Sequence, residues 1–117
     1  MAKNCRICAG PSGNDSSSGL AQTKPFPAPT FDGHKIVATT AHKDLRDVSP
    51  EEWQAMGEMI GELAREIHKT KDVEKVYVLA IGDVDVGHFH VHLVPKMIND
   101  PPLGPFVFGT AGWISTV

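Results

Sequence analysis

Apolar positions change period along the middle of the chain. Lys35-Ile36-Val37-Ala38-Thr39-Thr40 is an apolar run rich in β-branched residues and predicts a strand. Ser49-Pro50-Glu51-Glu52 then predicts a helix start, a capping box with Pro at the first helical position. Behind it Trp53, Met56, Ile60, Leu63, Ala64 and Ile67 recur at helical spacing and predict a core-facing stripe. Glu51, Glu58, Glu62, Arg65, Glu66 and Lys69 fill the solvent face, and His68 suits the negative end of the helix dipole. Gly57 and Gly61 each weaken a helix by up to about 1 kcal/mol relative to Ala, which leads one to expect a close backbone approach there. Lys75–Ile81 alternates weakly and predicts a central strand. After the connection Gly82–Gly87, residues 88–94 predict a second strand, closed by Pro95. Two strands so joined make an antiparallel pair.

The ends of the chain carry less pattern. Residues 10–19 are Gly/Ser-rich and predict a flexible loop, and the prolines of 24–29 predict extended backbone. Residues 99–105 predict a loop, and Phe106-Val107-Phe108 a short edge segment. With 117 residues and no internal repeat, the expectation is one domain over 1–117. It divides into an N-terminal segment and loop (1–32), a core (33–96) and a tail (97–117). Net charge is −3 without a basic block, which offers no general footprint for nucleic acid or an anionic membrane. No apolar run reads as a signal peptide or a membrane span, so a cytoplasmic protein with reduced thiols is expected.

The chemistry is concentrated in Gly87-His88-Phe89-His90-Val91-His92-Leu93-Val94-Pro95, which holds half of the six histidines. On a strand, alternate positions share a face, so one face would be imidazole and the other core. Residues two apart lie about 6.6 Å apart and residues four apart about 13 Å. No single ion can bind all three rings from a straight strand, because ligand bonds are only about 2 Å long. The rings must divide their labour. In one division His88 joins a metal, His90 attacks phosphorus, and His92 assists a leaving group or holds a phosphate oxygen. In another, metal sits on His88 and His90.

Cys5 and Cys8 form a Cys-x-x-Cys, which in a reducing compartment reads as metal ligands or a redox pair. Turn chemistry follows them, rather than the helix a redox motif would open, and this favours a metal knuckle. His42 and His88 would complete a tetrahedral Cys₂His₂ set. His34, at a strand start, could orient the site or make a structural hydrogen bond. Asp83 and Asp85 read as solvated turn residues.

These residues resemble the histidine triad family, whose signature alternates His with apolar residues as His88-Phe89-His90-Val91-His92-Leu93-Val94 does. Gly33-His34-Lys35-Ile36-Val37 with His42 also looks like that family, Leu45–Glu52 is similar to its entry into a long helix, and Cys5-x-x-Cys8 is similar to its zinc-containing branch. The resemblance implies an α+β fold, with an antiparallel sheet of about five strands and one long helix, paired as a homodimer. It implies hydrolysis or transfer at the α-phosphate of a small-molecule nucleotide, with His90 as the nucleophile and His92 at the phosphate and leaving group. It further implies His34 and His92 as substrate-binding residues, and a structural zinc on Cys5, Cys8, His42 and His88. Three features depart from the family pattern: a shortened stretch between Cys8 and Gly33, Gly82–Gly87 in place of a phosphate-holding approach, and Lys96 where Arg is frequent. They keep a second reading open, a nucleotide-binding, zinc-stabilised regulatory module with little catalysis.

Overall fold

The computed structural model describes residues 5–9, 13–25, 34–80 and 87–99. A helical turn α1 (Arg6–Ala9) precedes strands β1 (Asn14–Asp15), β2 (Ala21–Pro25) and β3 (Lys35–Thr39). A 3₁₀ turn (Leu45–Asp47) leads into helix α2 (Pro50–His68), followed by β4 (Val73–Leu79) and β5 (His90–Met97). The five strands form one sheet in the order β1-β2-β3-β5-β4, every neighbour antiparallel. This is the α+β architecture expected, with the histidine strand second from the edge, but β4, expected to be central, lies at the edge of the described sheet.

Helix α2 starts where its capping chemistry dictates. Ser49 Oγ accepts from the Glu52 N–H at 3.1 Å, and Glu52 Oε1 accepts from the Ser49 N–H at 2.9 Å. The helix lays Ala55, Met56, Met59 and Ile67 on Ala21, Val37, Val91 and Leu93 of the sheet. The opposite face of the sheet carries Lys24, Ile36 and His92 in one row and Ala38 and His90 in the next, as the strand register requires.

Several expectations need correction. Trp53 is 46 % exposed and packs edge-on against Phe89, while Glu52 is buried in its place. Glu52 is tolerated there because Ser49 and Lys43 satisfy its carboxylate, and those bonds hold its pKa below the usual range. Gly57 has open space around it and Gly61 meets only the end of Arg65, so neither marks a close approach. Gly13 does: a Cβ there would collide with the Thr23 backbone. Residues 14–15 pair with β2, so the Gly/Ser stretch contains a short hairpin. Pro95 does not close β5, which runs on to Met97. Pairing with β3 stops at Leu93, so beyond it the strand has one neighbour among the described residues, where a missing N–H is tolerated. His88 precedes the strand instead of starting it. The expectations for Gly82–Val86 and for Phe106–Phe108 lie outside the described residues, as does all but Asn99 of the 99–105 loop. Among the described residues no helix is long and apolar enough to cross a membrane.

Candidate active site and metal centre

The approach to β5 is set by two backbone features. Gly87 has φ +63°, a conformation that favours glycine, and a Cβ there would sit 3.7 Å from His42 Nε2. The Phe89 N–H then donates to the Lys43 carbonyl at 2.8 Å, which brings the residue after His88 against the residue after His42. The two rings meet edge to face with centroids 5.0 Å apart.

Around them the sequence-predicted ligands converge. Cys5 Sγ lies 3.5 Å from His88 Nδ1, and Cys8 Sγ lies 3.4 Å from the same nitrogen and 3.3 Å from His42 Nδ1. All four donor atoms fall within 4.8 Å of one another. A tetrahedral zinc with bonds of about 2.3 Å to sulfur and about 2.0 Å to nitrogen has edges of about 3.3–3.8 Å, a range that the three sulfur–nitrogen distances match. The supporting shell fits as well. His88 Nε2–H donates to the Thr39 carbonyl at 2.7 Å, which leaves the Nδ1 lone pair facing the sulfurs. Partial burial of its sulfur and the neighbouring Cys5 push the Cys8 thiol above its ordinary pKa. Two thiols this close resist ionising together, and a divalent ion is what relieves such a pair. His90 is not in this donor set, so the division placing metal on His88 and His90 finds no support.

The other end of the row is built differently. His90 and His92 are buried on β5 with ring centroids 4.9 Å apart. His90 Nδ1 lies 2.9 Å from the His88 carbonyl. A carbonyl only accepts, so Nδ1 carries the proton, and in the neutral ring Nε2 holds a lone pair. That Nε2 is buried and has no hydrogen-bond partner among the described residues. Burial lowers the His90 pKa and the His88 carbonyl only partly opposes it, so the ring is neutral near pH 7. His92 Nδ1 lies 3.0 Å from His34 Nε2. Burial pushes His34 down to about 4, so its ring is uncharged at neutral pH.

The four predicted ligands thus gather at the approach to β5, while His90 and His92 lie on the strand itself, with His34 beside His92. Sequence reading missed Thr39, whose carbonyl accepts from His88, and Lys24, whose ammonium donates to the Ile7 carbonyl. Neither carries a local signal, because each acts through a backbone carbonyl that only the fold brings near. A cavity of about 290 Å³ opens between α2 and the β1–β2 hairpin, lined by residues including Thr23, Ala55 and Met59. It lies on the helix side of the sheet, away from the imidazoles, and is not this site.

No family profile and no curated protein sequence matches the chain. Solved structures do. A hypothetical protein from Leishmania major superposes with TM-score 0.70 at 19 % identity, covering 93 % of this chain and 91 % of that one. A zinc-bound histidine triad family protein from Mycobacterium smegmatis gives TM-score 0.68 at 24 % identity, over 86 % and 80 %. The diadenosine triphosphate hydrolase of Plasmodium falciparum, solved with cyclomarin A, gives 0.62 at 17 %, over 83 % and 69 %. The resemblance read from Cys5-x-x-Cys8 and the His88–His92 run therefore holds in three dimensions, and the chain has the histidine triad fold.

Proposed function

We propose that the protein is a histidine triad nucleotide hydrolase or transferase acting at an α-phosphate through a covalent intermediate on His90. The observation that carries this reading is the His90 ring, held by the His88 carbonyl so that a buried Nε2 lone pair, without a partner among the described residues, stays on the triad face. In the first step Nε2 bonds to the α-phosphorus and the bond to the leaving group breaks, its electron pair departing with that group. His92 stands beside His90 to give the leaving group a proton, with neutral His34 as the partner of its Nδ1. In the second step water, or another acceptor, attacks phosphorus, releases Nε2 and yields a proton to His92. The fold shared with a diadenosine triphosphate hydrolase supports the substrate class.

Cys5, Cys8, His42 and His88 would hold zinc. With four protein donors the site is closed, so the ion would supply a cross-link between the N-terminal turn and the sheet instead of activating water.

The test is incubation with adenosine 5′-phosphoramidate or diadenosine triphosphate, followed by intact-protein mass spectrometry. A nucleotidyl adduct on wild-type protein is expected, and His90→Gln is expected to lose about 10³-fold or more in turnover. Full turnover by that variant refutes the assignment. Tight nucleotide binding without turnover by the wild type would favour the regulatory module instead.

A further inference from the structure

The row Lys24–Ile36–His92 across β2, β3 and β5 puts a lysine on the histidine face of the sheet. Lys24 is only 8 % exposed, and no carboxylate pairs with it among the described residues. A buried ammonium without an ion pair is uncommon and costly, and something nearby must repay it. The Lys24 ammonium donates to the Ile7 carbonyl. Ile7 is fully buried and sits inside the Cys5-x-x-Cys8 turn, between the two sulfur ligands. Lys24 is also near enough for its charge to act on both Cys8 and His88.

The turn needs such a hold. Four residues of helix have no stability of their own, because a single turn fixes many dihedrals for one hydrogen bond. Cys5 and Ile7 are buried while Cys8 is exposed, so the turn is pressed onto the sheet by one side only. Among the described residues, a side chain from β2 grips this turn at the carbonyl of Ile7, between the cysteines.

We infer that Lys24 is a positioning residue for the metal centre, tying the cysteine turn to β2 through the Ile7 carbonyl so that both sulfurs meet His42 and His88 at ligand spacing. The inference rests on the zinc reading given above. It assigns Lys24 no contact with the ion and no part in the chemistry at His90.

The experiment measures zinc affinity of the full chain by competition with a chromophoric chelator, for wild type and Lys24→Met. Circular dichroism at saturating zinc checks that both are folded. Wild type is expected to bind one zinc, and Lys24→Met to bind it about 10- to 100-fold more weakly, as loss of an outer support does elsewhere. Urea unfolding of the two zinc-free proteins is expected to agree closely, a result that a general packing role for Lys24 would not give. Equal zinc affinity in the two proteins, or a variant equally destabilised with and without zinc, overturns the inference. Absence of zinc binding by wild type sinks the zinc reading itself, a different failure. Should Lys24→Met not fold, wild type alone decides: acetylation of Lys24, read by peptide mass spectrometry, is expected to be slower with zinc than after chelation. Equal rates refute the tie.

Discussion

Acidification should weaken this fold through His34 in particular. The ring is 3 % exposed, and its pKa stands at about 4 in the folded chain against 6.5 when exposed. The folded value is depressed, so between these limits the unfolded chain binds more protons than the folded one. The His34 contribution is therefore complete above pH 6.5, fades as the pH falls, and is lost below about 4. The gap is about 2.5 pH units, which at about 1.4 kcal/mol each sums to about 3–4 kcal/mol. By pH 5, still above the folded pKa, about 2 kcal/mol of it has gone. The N-to-N contact with His92 acts in the same direction, since two imidazolium rings cannot share one hydrogen bond 3.0 Å long. The assay is urea unfolding followed by far-ultraviolet circular dichroism at pH 8, 6.5 and 5, for wild type and His34→Gln, both saturated with zinc. Titrating groups that His34 does not touch, the metal ligands included, are common to both proteins and drop out of the difference, which reports His34 together with its contact to His92. Wild type is expected to lose about 2 kcal/mol relative to the variant between pH 8 and pH 5. A difference that stays flat over this range would refute the argument that burial sets the His34 charge.

Chelation of zinc from the loaded protein should lower the unfolding temperature and expose the N-terminal turn to proteolysis, with no such change in Cys5→Ser, which lacks one of the donors. Leu93→Ala should cost about 2–5 kcal/mol in urea unfolding, because Leu93 is fully buried between the sheet and α2 and its loss leaves a cavity.

Local chemistry accounts for the parts of the fold that are legible in the sequence. Ser49 to Glu52 encodes a helix start by itself, and α2 begins there. The β-branched run of residues 35–40 becomes β3, and the resemblance to the histidine triad pattern supplies the sheet around it. Cys5, Cys8, His42 and His88 come together as the ligand chemistry suggests, though His42 is 34 residues from Cys8. What escapes the sequence depends on partners far along the chain. Ala21–Pro25 has little strand propensity and pairs because β3 offers a free edge. Pro95 continues a strand because β3 has already ended beside it. Glu52 is buried, against its hydropathy, because Lys43 and Ser49 await it. Trp53, one position further, turns outward onto Phe89.

One oxygen in that cap reaches beyond the helix. Glu52 Oε1 receives both the Ser49 N–H and the Lys43 ammonium, each at 2.9 Å, and the Lys43 carbonyl in turn receives the Phe89 N–H. Lys43 follows His42 and Phe89 follows His88, so the helix cap doubles as a datum from which two imidazoles are surveyed. Exchange among the outward glutamates of α2 leaves that datum in place. A change at residue 43 or 52 displaces it, and its effect would surface some residues away, as a misalignment of the rings and not as a frayed helix.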